Sequence, residues 1–123
     1  MEGAKTPELH FRAHARRRVA LRGIVRDPAR PAQLRVAVRD LGLGGAGIEW
    51  DARSAAAFGA MRQGARLSIE ITAPTLWDPL VLPATLAWLL PHALGARAGL
   101  AFEHPDASSV LAVLQLLSAQ AYA

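Results

Sequence analysis

The sequence predicts a mainly β fold, a small closed or nearly closed barrel of about six strands finished by one C-terminal helix. Three observations carry that reading. Apolar and polar residues alternate with period two in several short stretches, the mark of half-buried strands. Glycine and proline, 10 and 8 of 123 residues, punctuate the chain as tight turns. Only the last twenty residues change to a helical period, so no long helix separates the strands and their connections are mostly antiparallel. A chain of 123 residues is one domain with one core, and 52% apolar residues are enough to fill it.

The elements follow in order. Residues 1–11 form a polar, flexible arm with Glu2 and Glu8 and no apolar stretch of the kind a secretory signal needs. Residues 12–18, RAHARRR, are a basic run without periodicity. Val19 to Val25 begins the first strand, and Asp27 to Ala32, DPARPA, reads as a turn. Leu34, Val36 and Val38 then alternate with Arg35, Ala37 and Arg39. That second strand ends at Asp40 in LGLGGAG, followed by the short apolar piece Ile48 to Trp50. Ala52 to Gln63 is alanine-rich and contains a helical turn. Leu67, Ile69 and Ile71 face one way from the next strand.

The apolar stretch from Pro79 to Phe102 is broken by Pro83, Pro91, His92, Gly95 and Arg97, which makes it two strands and a turn rather than a bilayer span. In the first of these strands Ala84, Leu86 and Trp88 share one face. Ala98, Leu100 and Phe102 belong to the second. Over 106–121 Val110, Val113, Leu114 and Leu117 form one stripe of a helix, with Asp106 as its N-cap. The boundaries expected are therefore an arm over 1–11 and a single domain over 12–123. Within that domain the Arg-rich arm is 12–18, the barrel 19–103 and the helix 106–121.

Charge separates one part of this chain from the rest. The net charge is +4, yet nine arginines lie between Arg12 and Arg39 against Asp27 alone. Clustered guanidinium groups repel one another unless an anion neutralises them, and their planar forks suit phosphate. The run Arg12, Arg16, Arg17 and Arg18, with Arg22 after it, is therefore an anion-seeking surface, expected to be mobile over 12–22 and to close on its ligand. The absence of cysteine excludes disulfides, thiol nucleophiles and cysteine-held zinc. No His/Glu spacing makes a metal site, and no serine lies in a nucleophile elbow, so the sequence does not read as an enzyme. A default cytoplasmic location follows from the lack of a leader or a span.

The glycine run supplies the second feature. Gly42 to Gly47 formally matches G-x-G-x-x-G, but a dinucleotide-binding loop requires a helix at once and a parallel crossover. Ile48, Glu49 and Trp50 continue as a strand instead, so the run reads as a turn containing glycines at positive φ. Asp40 at its mouth is an acceptor for paired N–H donors such as a guanine edge, or else closes an Asx-turn.

Together, an Arg-rich segment, a strand, a hairpin, a strand ending in Asp40-x-Gly42-x-x-Gly45, a later strand with Trp88, a closing G-x-x-F strand and a final helix resemble a PilZ domain. The resemblance runs from Arg12 to the end of the chain. It implies a six-stranded antiparallel barrel with a C-terminal helix and binding of the second messenger cyclic di-GMP through an R-x-x-x-R arm and a D/N-x-S-x-x-G strand end. Asp40 matches the first position of that second motif and Gly45 the last, while Gly42 stands where the family has serine.

Arg18, directly before the expected first strand, resembles the second arginine of the arm and places His14 at the first. Arg12 and Arg16, or Arg18 and Arg22, have the right spacing in another register, and Arg16 and Arg17 are near enough to substitute. Trp88 lies where relatives place an aromatic against a guanine face. The function expected is a sensor and adaptor that binds cyclic di-GMP, needs no cofactor and signals by contact with a protein partner of unknown identity. The alternative is a degenerate PilZ module that binds no nucleotide and serves as an adaptor alone. Nucleic acid is disfavoured, because aromatics make up only 6% of the chain and the strands over 34–39 and 66–72 carry no exposed aromatic stacking platform.

Overall fold

The structure is a computed structural model that describes residues 16–58, 61–104 and 106–120. Strands β1 (Arg17–Arg26), β2 (Gln33–Leu41) and β3 (Gly45–Asp51) lead into a short helix, α1 (Ala52–Phe58). Strands β4 (Arg66–Thr72), β5 (Leu80–His92) and β6 (Gly95–Phe102) precede the terminal helix, α2 (Ala107–Gln120). The strands close into a barrel in the order β1-β2-β3-β6-β5-β4, every neighbour antiparallel. This is the six-stranded barrel with a C-terminal helix that the sequence predicts.

Period-two alternation builds the interior. Leu34, Val36 and Val38 of β2, Leu67, Ile69 and Ile71 of β4, and Ala98 and Leu100 of β6 are all buried, and their alternating neighbours form the outer wall. The Asp27 turn closes as expected, its carboxylate accepting from Ala29 N–H at 2.9 Å and from Arg30 Nε at 3.1 Å. Arg30 then lies over the Phe58 ring, 5.3 Å from its centroid, which ties this hairpin to α1. Strand β5, which contains Pro83 and Pro91, turns into β6 through Ala93 and Leu94 alone.

Four expectations are corrected. β1 begins at Arg17, because Arg17 and Arg18 pair with Leu41 and Asp40 of β2. The stretch 17–22 is therefore strand within the barrel wall and not part of a mobile arm. The register of β5 and β6 shifts between Leu86 and Trp88, a bulge that turns Trp88 outward while Ala84 and Leu86 stay inside.

The glycines of the 42–47 run are not at positive φ; among the described residues only Gly64 (φ 88°) and Gly95 (φ 157°) are. In α2 the buried stripe is Val113 and Leu116, with Leu117 half-buried and Leu114 turned to solvent. The expected cap is in place, since Asp106 Oδ1 accepts from the Ser109 N–H at 3.1 Å.

Candidate functional site

Arg16, the residue before β1, directs its guanidinium to Asp40, with Nη1 and Oδ1 3.1 Å apart. The same carboxylate oxygen accepts from the Gly47 N–H of β3 at 3.1 Å. Asp40 is thus held from two sides and fixed in direction on the outer wall. Glycine at 47 is required by this contact, because a Cβ there would overlap the Asp40 carboxylate.

The pairing registers extend the arrangement around the barrel. Arg18 pairs with Asp40, Asp40 with Gly47, Gly47 with Gly99, and Gly99 with Trp88. One row of outward positions therefore runs across five strands, with two adjacent glycines as a flat floor between Asp40 and Trp88. Neighbouring strands are about 4.8 Å apart, so the three steps from Asp40 to Trp88 span about 14 Å along the surface. The Trp88 indole lies on Gly99, where any Cβ would strike it, and the side chain remains 41% exposed. It is an aromatic face supported from below and open above.

A groove of about 820 Å³ lies beside this row, lined by Arg16, Arg17, Arg18, Arg22, Arg39 and Arg97, with Asp40 as its acid. Arg22 belongs to a second row, paired through Ala37 and Glu49 to Arg97. Glu49 also receives Arg39 at 3.5 Å. The balance of the groove is cationic. It offers forked donors for phosphate and one carboxylate acceptor for N–H groups, which is the chemistry of binding a polar anion.

The turn from β2 to β3 closes the end of the site. Gly42 N–H donates to the Gly45 carbonyl at 2.9 Å, and Phe102 N–H of β6 donates to the Gly44 carbonyl at 2.9 Å. Gly45 is buried against the Leu100 carbonyl, and a Cβ there would overlap it. The Leu43 carbonyl is 2.7 Å from His104 Nε2.

The structure therefore brings Arg16, Arg17, Arg18, Arg22 and Asp40 into one groove, places Gly42 in the adjoining turn and Gly45 at the start of β3, and sets Trp88 across the glycine floor. Arg12 and His14 lie outside the described residues. Arg39, Gly47, Arg97, Gly99 and His104 are additions. Glycine in the interior of a strand signalled Gly47 and Gly99, whereas a single arginine on a distant strand carries no such mark.

A family model of the PilZ domain matches residues 10–119. The chain belongs to the PilZ family. PilZ domains are a family of cyclic di-GMP-binding modules and are typically non-catalytic. Among solved structures, the chain is similar to the PilZ domain of YcgR from Escherichia coli with c-di-GMP, at a TM-score of 0.70 and 16% identity over 88% of this chain and 91% of that one.

The PilZ domain of CeSA from a cellulose-synthesizing bacterium gives 0.62 and 16%, covering 82% and 92% of the two chains. The Bacillus subtilis inhibitor of motility (MotI/DgrA) gives 0.64 and 14% over 82% of this chain. This PilZ chain spans 46% of that protein. A comparison with curated protein sequences gives no match. No described helix is long and apolar enough to cross a membrane.

Proposed function

We propose that this PilZ chain binds cyclic di-GMP on the outer wall of its barrel and passes its state of occupancy to another protein by contact. Asp40 accepts from a guanine edge, the arginines of the groove hold the phosphates, and the Trp88 face stacks on a base above Gly99. Residues 12–123 act as the binding domain, with 1–11 as an arm ahead of it.

The observation that supports this reading most is the Arg16–Asp40 pair at 3.1 Å. It joins the two motifs at one point and supports one register: Arg16 directly precedes β1 and stands four residues after Arg12. On that register the R-x-x-x-R arm is Arg12 and Arg16, with His14 between them rather than at a motif position, and Arg18 joins as a further cation from the strand. The departure that remains is Gly42, which lacks the serine hydroxyl. One lost neutral hydrogen bond weakens affinity by about tenfold at most.

Isothermal titration with cyclic di-GMP, against cyclic di-AMP and GTP, tests the proposal. The expected result is micromolar or tighter binding of cyclic di-GMP alone. Arg16→Ala and Asp40→Ala each remove a charged hydrogen-bonding group and lower the affinity by about tenfold or more. Absence of heat with all three nucleotides overturns the sensor and favours the alternative, a PilZ adaptor in which Gly42 marks a lost nucleotide site.

A further inference from the structure

The β2–β3 turn is tied to the terminal helix through a single imidazole. His104 lies between β6 and α2, its Nε2 2.7 Å from the Leu43 carbonyl and its Nδ1 2.9 Å from Ser109 Oγ. A carbonyl only accepts, so Nε2 carries a hydrogen and donates it to Leu43. In the neutral ring Nδ1 is then an acceptor, and the Ser109 hydroxyl donates to it. That hydroxyl has a second acceptor within reach, the Asp106 carbonyl at 3.0 Å. The ring packs edge-on to Phe102, with centroids 6.0 Å apart and planes at 79°, which fixes its orientation.

Leu43 and Gly44 are consecutive residues of the turn between β2 and β3, and their carbonyls are held by His104 and by Phe102 N–H, both on the segment that leads into α2. In a trans peptide the N–H points opposite to the carbonyl before it, so drawing the Leu43 carbonyl toward His104 aims the Gly44 N–H away from it. The orientation of the turn's amides is therefore set by a side chain outside the turn. That side chain in turn holds the first turn of α2, where Ser109 is also bonded through its N–H to the capping Asp106.

We propose that His104 is a positioning residue: it sets the peptide orientation of the β2–β3 turn and relays displacement of that turn to the start of α2 through Ser109. This extends the ligand reading above, since it names the route by which occupancy of that site reaches another surface. A ligand that pulls on the turn alters the Leu43–His104 bond, and the Ser109 hydroxyl then changes between Nδ1 and the Asp106 carbonyl.

Residue-resolved amide hydrogen exchange in the wild-type, Ser109→Ala, His104→Ala and His104→Gln proteins, with and without cyclic di-GMP, is the test. Without ligand, Ser109→Ala touches the turn only through the ring, yet speeds exchange at Gly42, the N–H that closes the turn, by about threefold or more, as loss of one hydrogen bond does. His104→Ala has a larger effect, His104→Gln restores a donor and recovers most of it, and the core amide of Ile69 is unchanged in all three. Wild-type exchange at Gly42 in both alanine variants, or equal acceleration at Ile69, overturns the proposal. With ligand, the wild type slows exchange at Gly42 and at the first turn of α2, whereas Ser109→Ala slows it at Gly42 alone. An α2 response that survives in Ser109→Ala overturns the relay. A wild type that binds no cyclic di-GMP removes the ligand reading, while the ligand-free comparison still decides the link.

Discussion

At the level of single residues, the site depends on what glycine leaves out. Gly47 lets the Asp40 carboxylate lie down on β3, and Gly99 gives the Trp88 indole its floor. The neighbour that a methyl at 99 would strike is the far end of a side chain and not backbone, so Gly99→Ala displaces the ring without opening the barrel. The expected outcome is a shifted Trp88 indole N–H resonance, a melting temperature near that of the wild type and weaker cyclic di-GMP binding. An unshifted indole signal contradicts this placement.

That Asp40, the glycines after it and the arginines ahead of the first strand gather in one region was legible at this scale, whereas the extension of β3 back through Gly47 and Gly45 was not. Nor was Trp88. Strict alternation puts it on the face of Leu86, and one extra residue at the bulge reverses it. Bulges leave little trace in a strand pattern. The register of the arm was misplaced for a related reason, since Arg17 and Arg18 have the composition of a loop and are strand only because β2 lies beside them.

Among the elements, the two helices are begun by carboxylates. Asp51 accepts from the Ser54 N–H of α1 at 2.8 Å, and Asp106 accepts from the Ser108 hydroxyl at 2.7 Å and the Ser109 N–H of α2 at 3.1 Å. These bonds favour the ionised form, the Ser54 N–H holding Asp51 and the Ser108 hydroxyl holding Asp106 below the usual aspartate value. Carboxyls depressed in the folded state contribute their stabilisation in full above the unfolded value and lose it as pH falls through the folded one.

Exchange protection at the start of α2 is therefore expected to hold through neutral and mildly acidic pH and to fall in the acid range beneath the ordinary aspartate value. Asp106→Asn keeps a good cap and removes that local acid step; an acid step that persists in the variant counts against the assignment. The cap was visible in the sequence as Asp106, just after Pro105, where the helical period begins. The stripe of α2 was read with Leu114 where Leu116 is buried, Val113 holding its expected place, because leucine at 111, 114, 116 and 117 leaves several apolar faces and only the barrel chooses among them.

For the molecule as a whole, closure makes the core one cooperative unit. Leu86 is fully buried where the β5 backbone reaches across to Gly64 and Ala65, its carbonyl and N–H bonded to them at 2.8 and 2.9 Å. Leu86→Ala is expected to cost about 2–5 kcal/mol, read as a lower denaturation midpoint with the slope of the transition unchanged. A loss below about 1 kcal/mol shows that the surroundings collapse into the space. The fold class was legible because alternation, turn chemistry and the late change of period all agree. The order of strands around the barrel was not, since the pairing of β3 with β6 and of β1 with β4 is made by residues far apart in the chain.

That pairing of the first strand with the fourth also decides how this protein meets others. A sheet with a free margin recruits partners by backbone, adding a strand from another chain with little regard to its sequence, and the same margin is where stacking into fibrils begins. Closure removes that margin where β4 is paired, along Arg22–Arg26 of β1 and Leu80–Thr85 of β5. Whatever docks on those stretches must be recognised through the side chains they display, so specificity there is written on the outer wall, where single substitutions change it, while the paired backbone ladder stays out of reach.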